Sequence, residues 1–310
     1  MRGCNFNIHL VIDLPPSIDI NNLLDNLRDF SWEAYDVLIH YSKIVKDSNY
    51  ESNILKNEDN ENPVTIADLQ VNELIIKRIN QKYKNVDWDI LSEENIKVDP
   101  ENFVSKSDWM WVLDPLDGTK DFIEGTSNYA MHLALNFKRK PILGIVLIPD
   151  KEELWIGYEG KVWCEKKVGT NLKPSLSKNE SLKDMVLVTS KNHRNKTLEK
   201  LIQKICFSKV IMMGSIGCKI SSIIRGESDL FISLCLPGGS TPKDWDFAAP
   251  EALIKAAGGA ITNIDNQELS YGKKYYEQGG IIVASNNFRN HEKTCMLIRE
   301  IIEKNQIYPL

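Results

Sequence analysis

The feature of this sequence that most limits its fold is an apolar run, 109–113, that leads directly into Asp114, Pro115, Leu116 and Asp117. The run predicts a buried strand. Pro115 fixes φ and removes a hydrogen-bond donor, so the chain is expected to leave the sheet there in a rigid turn. The two aspartates then converge at the end of the strand with the Leu116 carbonyl between them, and such hard oxygen ligands suit Mg²⁺. The alternative is a plain turn, because Asp, Pro and Gly are common turn residues.

Other polar residues also lie where predicted elements begin or end. Gly118 and Thr119 are expected to open a short helix whose free N–H groups would form a seat for phosphate. Glu93 and Glu94 follow a strand predicted at 88–92, and the alternative for them is a solvated loop. Asp246 precedes a helix predicted at 248–257, and its alternative role is that of a helix N-cap.

Asp68 stands three residues after Thr65, ahead of a helix predicted over 67–79, and this spacing is typical of a capping box. Apolar spacings of three and four predict another helix over 20–45, followed by a polar loop over 46–62. Further strands of the first half are predicted at 130–137, 142–148, 154–158 and 161–165.

The second half alternates strands and helices, which indicates an α/β layer structure. Its strands are predicted at 185–189, 210–213, 229–233 and 281–284, and its helices at 196–206, 218–225, 248–257 and 292–303. A polar run over 166–184 lies between the halves. We therefore predict an N-terminal α+β domain, 1–180, with most metal ligands, and a C-terminal α/β domain, 181–310, with Asp246 and the specificity residues.

Composition excludes some classes of protein. The 310 residues include 38 basic and 43 acidic ones, a net charge of −5, which argues against binding to a nucleic-acid polymer. No apolar stretch is long enough for a membrane span, and the start lacks the pattern of a signal peptide. The six cysteines are scattered without a CxxC pair, as expected for reduced thiols in a cytoplasmic protein.

Together, the acidic segments resemble those of the lithium-sensitive, magnesium-dependent phosphomonoesterases. This superfamily includes inositol monophosphatases, 3'(2'),5'-bisphosphate nucleotidases and fructose-1,6-bisphosphatases. The resemblance spans roughly residues 20 to 290 and rests on Asp-Pro-Leu-Asp-Gly-Thr at 114–119, Lys-Asp-Phe at 120–122, Trp-Asp at 245–246 and Ala-Gly-Gly at 257–259. Ser92, rather than the glycine usual in the inositol branch, precedes the Glu pair. The resemblance implies a layered α-β-α-β-α sandwich.

The resemblance also implies roles for individual residues. One Mg²⁺ would bind Glu93, Asp114 and the Leu116 carbonyl, and a second would bind Asp114, Asp117 and Asp246. Glu93 would help to hold a third, weaker ion, with Glu94 close by in the catalytic group. Asp68 and Thr119 would orient and deprotonate the attacking water, and the N–H groups of Gly118 and Thr119 would receive the phosphate. Direct attack by water is expected, without a phosphoenzyme.

Three second-half segments resemble the bisphosphate-nucleotidase branch: 188–193, 214–219 and 242–251. They imply a substrate site formed by His193, Ser215, Gly217 and Lys219, with help from Arg194 or Lys243, because an uncleaved second phosphate needs a cation. The expected reaction converts adenosine 3',5'-bisphosphate to AMP and phosphate. As alternatives, Lys219 only starts a surface helix and His193 is a solvated loop residue.

Two other functions remain open. An inositol-1-monophosphatase or another sugar phosphatase would use the same metal site. A catalytically inactive phosphate-binding protein on the same fold is the non-enzymatic alternative. In each case the expected ligand is a small phosphate ester, and a homodimer is a further expectation carried by the family.

Overall fold

The computed structural model describes residues 14–47, 65–98, 103 and 105–309. Two helices are followed by a six-stranded sheet. Helix α1, Ile20–Lys46, begins at Asp19, whose side chain accepts a hydrogen bond from the Asn22 N–H. Helix α2, Ile66–Lys82, begins at a complete capping box. Both helix predictions are confirmed, whereas most of the loop predicted over 46–62 lies outside the described residues.

The first sheet contains strands in sequence order, β1 to β6. β1 is parallel to β2 and every other pair is antiparallel. Lys138 and Arg139 have φ values of 46° and 64° in the tight connection of β3 and β4, as a two-residue hairpin requires. The strands are β1 (Asp89–Ser92), β2 (Trp109–Asp117), β3 (Ala130–Phe137), β4 (Lys140–Ile148), β5 (Glu153–Tyr158) and β6 (Lys161–Lys166).

Short helices interrupt this half of the chain. They are α3 (Glu93–Val98), α4 (Thr119–Ile123) and a 3₁₀ turn (Pro149–Lys151). The second sheet has the order β10-β11-β9-β7-β8, in which β9, β7 and β8 run parallel. Its strands are β7 (Val186–Ser190), β8 (Lys209–Met213), β9 (Leu230–Leu234), β10 (Ala260–Asn263) and β11 (Ile281–Ser285). Its helices are α5 (Lys196–Ile205), α6 (Ile216–Ile224), α7 (Asp244–Ala256) and α8 (Phe288–Lys304).

Side chains alternate across the first sheet and so belong to two different cores. Trp111 and Leu113 of β2 pack in a core with α1 and α2, whereas Met110 and Val112 pack in a core with α6, α7 and the second sheet. A third core lies between the second sheet and helices α5 and α8. This order of layers confirms the predicted α-β-α-β-α sandwich.

Helix α7 lies very close to the first sheet because glycines face it. A Cβ on Gly144 of β4 would stand 2.5 Å from the Ala249 carbonyl oxygen, and one on Gly157 of β5 would stand 3.0 Å from a Leu253 methyl. The close contact fixes the position of the N-terminal end of α7, which carries Asp246. The two sheets fall on either side of residue 180, and the division into two domains stays a prediction.

Several predicted boundaries were wrong. β2 does not stop at Leu113 but continues to Asp117, and α7 begins at Asp244 rather than at 248. The short α3 and β10 were not predicted, since neither has enough residues to show a period. Within the described ranges, no helix has the length and apolar character needed to cross a bilayer.

Candidate active site

Asp114 and Asp117 lie on a bulged part of β2. Asp114 pairs with His132 of β3, and Asp117 pairs with Ala130, so β2 contains one residue more than its partner over this stretch. Pro115 has no N–H for the ladder, which accounts for the break in pairing. Side chains three residues apart on a regular strand point to opposite faces of the sheet. The extra residue of the bulge brings the side chains of Asp114 and Asp117 to the same face. The carboxylates therefore come together within the sheet rather than in a turn beyond it.

Glu93 and Glu94 follow β1, which runs parallel to β2 with Ser92 paired to Leu113. Parallel strands end at the same edge of a sheet, so Glu93 arrives beside Asp114. Both glutamates open helix α3, and Glu94 is buried while Glu93 is half-buried. The alternative of a solvated loop is wrong.

Asp246 reaches this edge from the second half of the chain. It is the third residue of α7 and its carboxylate accepts a hydrogen bond from the Lys243 N–H, so its role as the N-cap itself is wrong. One carboxylate oxygen from each of Asp114, Asp117 and Asp246 lies within 4.8 Å of the others. Three sequence-distant carboxylates thus form one acidic centre, defined here as Asp114, Asp117 and Asp246.

The electrostatics of the acidic centre favour a cation. Burial, followed by repulsion from Glu93 and Asp117, raises the pKa of Asp114 well above its ordinary value. Burial and the charges of Asp117 and Glu93 do the same to the pKa of Asp246. Within the described residues, no Lys or Arg side-chain nitrogen lies within 4.0 Å of these three carboxylates. An oxygen-only donor set with uncompensated charge fits a hard divalent ion such as Mg²⁺.

Asp117 is held by groups from two other elements. Its Oδ2 accepts a short hydrogen bond from the Ile216 N–H at the start of α6, and lies 3.4 Å from the Gly217 nitrogen and 3.2 Å from His132 Nε2. A Cβ on Gly217 would stand 2.2 Å from His132 Nε2, so only glycine fits there. The Ser215 hydroxyl caps α6 by accepting from the Cys218 N–H. Gly217 and Ser215 thus serve α6, and neither lines the cavity described below.

Asp68 and Thr119 meet beside the acidic centre. The Thr119 hydroxyl lies 3.4 Å from Asp68 Oδ1 and 3.0 Å from the Leu116 carbonyl oxygen. Asp68 Oδ2 accepts from the Thr65 N–H at 2.8 Å and from its hydroxyl at 2.5 Å, as the capping box predicts. Burial is the main cause that raises the pKa of Asp68 to about 7. A group with such a pKa can accept a proton near neutral pH.

Gly118 is the N-cap of α4 and has a φ of 87°, a conformation that favours glycine. A Cβ there would also stand 2.8 Å from the Asn128 carbonyl oxygen. The short α4 confirms the predicted helix after Gly118. Because α4 begins at Thr119, its hydroxyl is placed directly beside the end of β2.

A cavity of about 660 Å³ contains the acidic centre and also basic residues. Lys219 is nearly fully buried within α6, so the alternative of a surface helix start is wrong. Its Nζ donates to the Gly214 carbonyl at 2.6 Å and lies 5.6 Å from the centroid of the Phe231 ring. Burial lowers the pKa of Lys219. The remaining predicted residues on the wall include Glu93, Leu116, Gly118, Thr119, His193, Arg194 and Lys243.

Two residues at this site were missed in the sequence. His132 contacts Asp117, yet nothing in the pattern of β3 distinguishes it from a core residue. Lys97 pairs with Glu93 and Glu94, and its spacing of three and four residues would have indicated the pair if 93–98 had been predicted as a helix.

The family of this chain follows from comparison with known proteins. A model described as "Inositol monophosphatase family" matches residues 21–303. This family is metal-dependent, and the family match together with the curated relatives supports a phosphatase. The chain belongs to the inositol monophosphatase family.

Similar curated proteins include two named 3'(2'),5'-bisphosphate nucleotidase CysQ. The protein from Buchnera aphidicola is 30% identical over 211 residues, which cover 67% of this chain and 74% of that protein. The protein from Escherichia coli is 27% identical over 251 residues, which cover 80% of this chain and 94% of that protein.

Solved structures support the same fold. Thermotoga maritima IMPase has a TM-score of 0.69 at 21% identity, covering 91% of this chain and 99% of that chain. The inositol monophosphate-bound SaIMPase-II has a TM-score of 0.68 at 19% identity, covering 92% and 96%.

Proposed function

We propose that this chain is a Mg²⁺-dependent 3'(2'),5'-bisphosphate nucleotidase that converts adenosine 3',5'-bisphosphate to AMP and phosphate. The observation that carries the proposal is a buried ammonium, Lys219, in the same cavity as an unneutralised acidic centre. The names of the CysQ relatives support the same substrate. The cytoplasmic location expected from the composition belongs to this proposal as well.

The acidic centre, with Glu93 and the Leu116 carbonyl, would hold two or three Mg²⁺ ions. When bound, Mg²⁺ supplies positive charge against the phosphoryl group and makes water more acidic. The carboxylates of this chain keep their orientation without it, because Asp117 is held by α6 and Asp246 by the Lys243 N–H.

Asp68 and Thr119 act on the attacking water. Asp68 Oδ2 is occupied by Thr65, which leaves Oδ1 on the side of the Thr119 hydroxyl. We assign Asp68 to accept the proton of the water and Thr119 to orient it, with the buried Glu94 close to Asp68. The Thr119 and Gly118 N–H groups receive the phosphate as part of the same proposal.

Lys219 recognises the phosphate that is not cleaved. Its ammonium has a carbonyl partner and an aromatic neighbour, and no carboxylate oxygen lies within 4.0 Å of it among the described residues. A buried ammonium without a counter-ion favours an anionic ligand. His193, Arg194 and Lys243 line the same cavity and would contact the rest of the nucleotide.

The test compares kcat/KM for adenosine 3',5'-bisphosphate, inositol 1-phosphate and fructose 1,6-bisphosphate with Mg²⁺. The bisphosphorylated nucleotide should be preferred, and Lys219→Ala should raise KM for it by about 10-fold or more, with little effect on inositol 1-phosphate. The exposed Lys200→Ala is the matched control. A preference for inositol 1-phosphate, or an equal effect of Lys219→Ala on both substrates, would overturn the nucleotide assignment.

A further inference from the structure

An internal ammonium occupies one side of the metal-binding region. Lys97 Nζ lies 2.9 Å from Glu93 Oε1 and 2.8 Å from Glu94 Oε1. The spacing follows from helix α3, in which residues three and four apart are neighbours on one face. The side chains of Glu94 and Glu93 are 5% and 19% exposed, and that of Lys97 is 29% exposed. This is a half-buried ion triad at the edge of the cavity.

The carboxylates of the cavity therefore divide into two groups. The acidic centre of Asp114, Asp117 and Asp246 has no Lys or Arg side-chain nitrogen within 4.0 Å in the described part of the chain. Glu93 and Glu94 already share one positive charge. Glu93 also interacts with Asp114, so it stands between the neutralised group and the unneutralised one.

We propose that Lys97 is a built-in cation that takes the place of a third metal ion at Glu93 and Glu94. The chain then binds two divalent ions, at the acidic centre with Glu93, rather than three. This inference rests on the proposed metal site and fixes the ion number that the family resemblance left at two or three.

The physical reason is competition for the same oxygens. A Mg²⁺ ion needs its oxygen ligands at about 2.0–2.1 Å. The Oε1 atoms of Glu93 and Glu94 both accept from one ammonium, and an ion that used them would meet this positive charge at close range. An ion that used the Oε1 atoms would make Lys97 give up both partners, and an ion that used the Oε2 atoms would share both carboxylates with the ammonium. Among the described residues, the carboxylates of the acidic centre have no lysine ammonium beside them that competes with a metal ion.

Ion binding tests the proposal without any substrate. Binding of Mn²⁺, as a probe for the divalent site, is measured by electron paramagnetic resonance and calorimetry on the wild type, Lys97→Met, Lys97→Gln and Lys97→Arg. The wild type and Lys97→Arg should bind two ions. Both neutral variants should bind a third ion, or bind the weakest ion about 10-fold more tightly, within the range seen for outer contacts of metal ligands.

Two neutral variants are used so that a folding defect in one leaves the other, and circular dichroism checks the fold of both. Lys82→Met, at an exposed position of α2, is the control for a lost surface charge. The proposal is overturned if the wild type binds three ions, or if the neutral variants bind with the wild-type number and affinity. Asp114→Asn separates this outcome from the larger proposal, because unchanged Mn²⁺ binding in that variant would refute the acidic centre itself.

Discussion

Glu153 and the acidic centre are both buried, but only Glu153 has a cationic side chain that neutralises it. Glu153 on β5 is 5% exposed and accepts hydrogen bonds from Trp155 Nε1 at 2.8 Å and Arg225 Nη1 at 2.7 Å. Asp114 is 1% exposed and Asp117 is 9% exposed, yet within the described residues neither has a Lys or Arg nitrogen within 4.0 Å. A buried charge is costly unless it is paired. The Glu153 group is therefore complete, whereas the acidic centre lacks a counter-charge.

The difference separates a structural role from a chemical one. Arg225 is the C-cap of α6, so its pair with Glu153 connects the middle helix layer to the first sheet. The acidic centre also joins the two halves of the chain, but through groups of equal sign. Carboxylates that repel each other within a fold are expected where an external cation completes the structure.

Removal of one shared carboxylate should have the largest effect. Asp114→Asn is expected to lower kcat/KM by at least ~10³-fold, equivalent to about 4 kcal/mol of transition-state stabilisation, because a proposed ligand of two ions is lost. Phosphate release at saturating Mg²⁺ measures this. Without divalent ions at pH 7.5 the variant should be no less stable than the wild type in urea, since it removes a repelled charge. Full activity, or a clear loss of stability, would contradict the comparison.

Asp68→Asn should have the next largest effect. The amide keeps an acceptor for the Thr65 N–H but cannot take a proton, so kcat should fall by ~10²-fold or more. Binding of Mn²⁺ should stay at the wild-type level, in contrast to Asp114→Asn. Burial first, and then nearby carboxylates, raises the pKa of Asp68 to about 7. Bound cations would lower this pKa. The kcat of the wild type should therefore rise with pH in a range at or below pH 7, and the kcat of the variant should not.

Sequence periodicity predicts much of the fold, whereas few local sequence patterns predict the geometry of the site. The helix predicted over 20–45 and the capping box of Thr65 and Asp68 depend on local spacing, and the structure confirms both. The strand ending predicted at Leu113 failed because a proline permits either a turn or a bulge. Only pairing with His132 and Ala130 of β3 decides between them, and such pairing is not local.

Long-range contacts also decide which residues surround the acidic centre. His132 touches Asp117 because β3 lies beside the bulge, and Gly217 must be glycine because α6 packs against His132. The substrate role of Gly217 is implied by the resemblance of segment 214–219 to a glycine-rich segment of the bisphosphate nucleotidases that ends in lysine. The structural requirement becomes visible only when the two halves are brought together.

A substitution at Glu153 should lower stability and leave activity nearly unchanged, whereas a substitution in the acidic centre should do the reverse. Glu153→Gln removes one of the two carboxylate partners of the buried Arg225 and leaves Glu227 as the other, so it should destabilise the protein by about 2–3 kcal/mol. Urea unfolding at pH 7.5 measures this cost. The activity of the folded variant should stay within about 2-fold of the wild type, since a structural pair adds nothing to transition-state binding. A large loss of kcat with unchanged stability would show that the division between the two groups is wrong.

The smallest expected effect comes from a third buried group, His291 of α8. Its Nδ1 lies 2.7 Å from the Ser285 hydroxyl and its Nε2 lies 2.8 Å from the Thr262 hydroxyl, so it ties α8 to β11 and β10. Burial lowers its pKa from the ordinary 6.5 to about 4. As pH falls the unfolded chain binds this proton first, so stability is complete above pH 6.5 and is lost towards pH 4.

Urea unfolding at pH 7.5, 6 and 4.5 tests this, with His291→Gln as the matched variant. The wild type should lose about 2 kcal/mol more than the variant between pH 7.5 and 4.5, since one pKa unit corresponds to about 1.4 kcal/mol. The quantity to compare is the loss of unfolding free energy between pH 7.5 and 4.5 in the wild type and in His291→Gln. Without divalent ions, the raised pKa values of Asp114 and Asp246 also make stability depend on pH, and this contribution is the same in both proteins and cancels. Equal pH dependence in both proteins would mean that His291 is not held neutral by the fold.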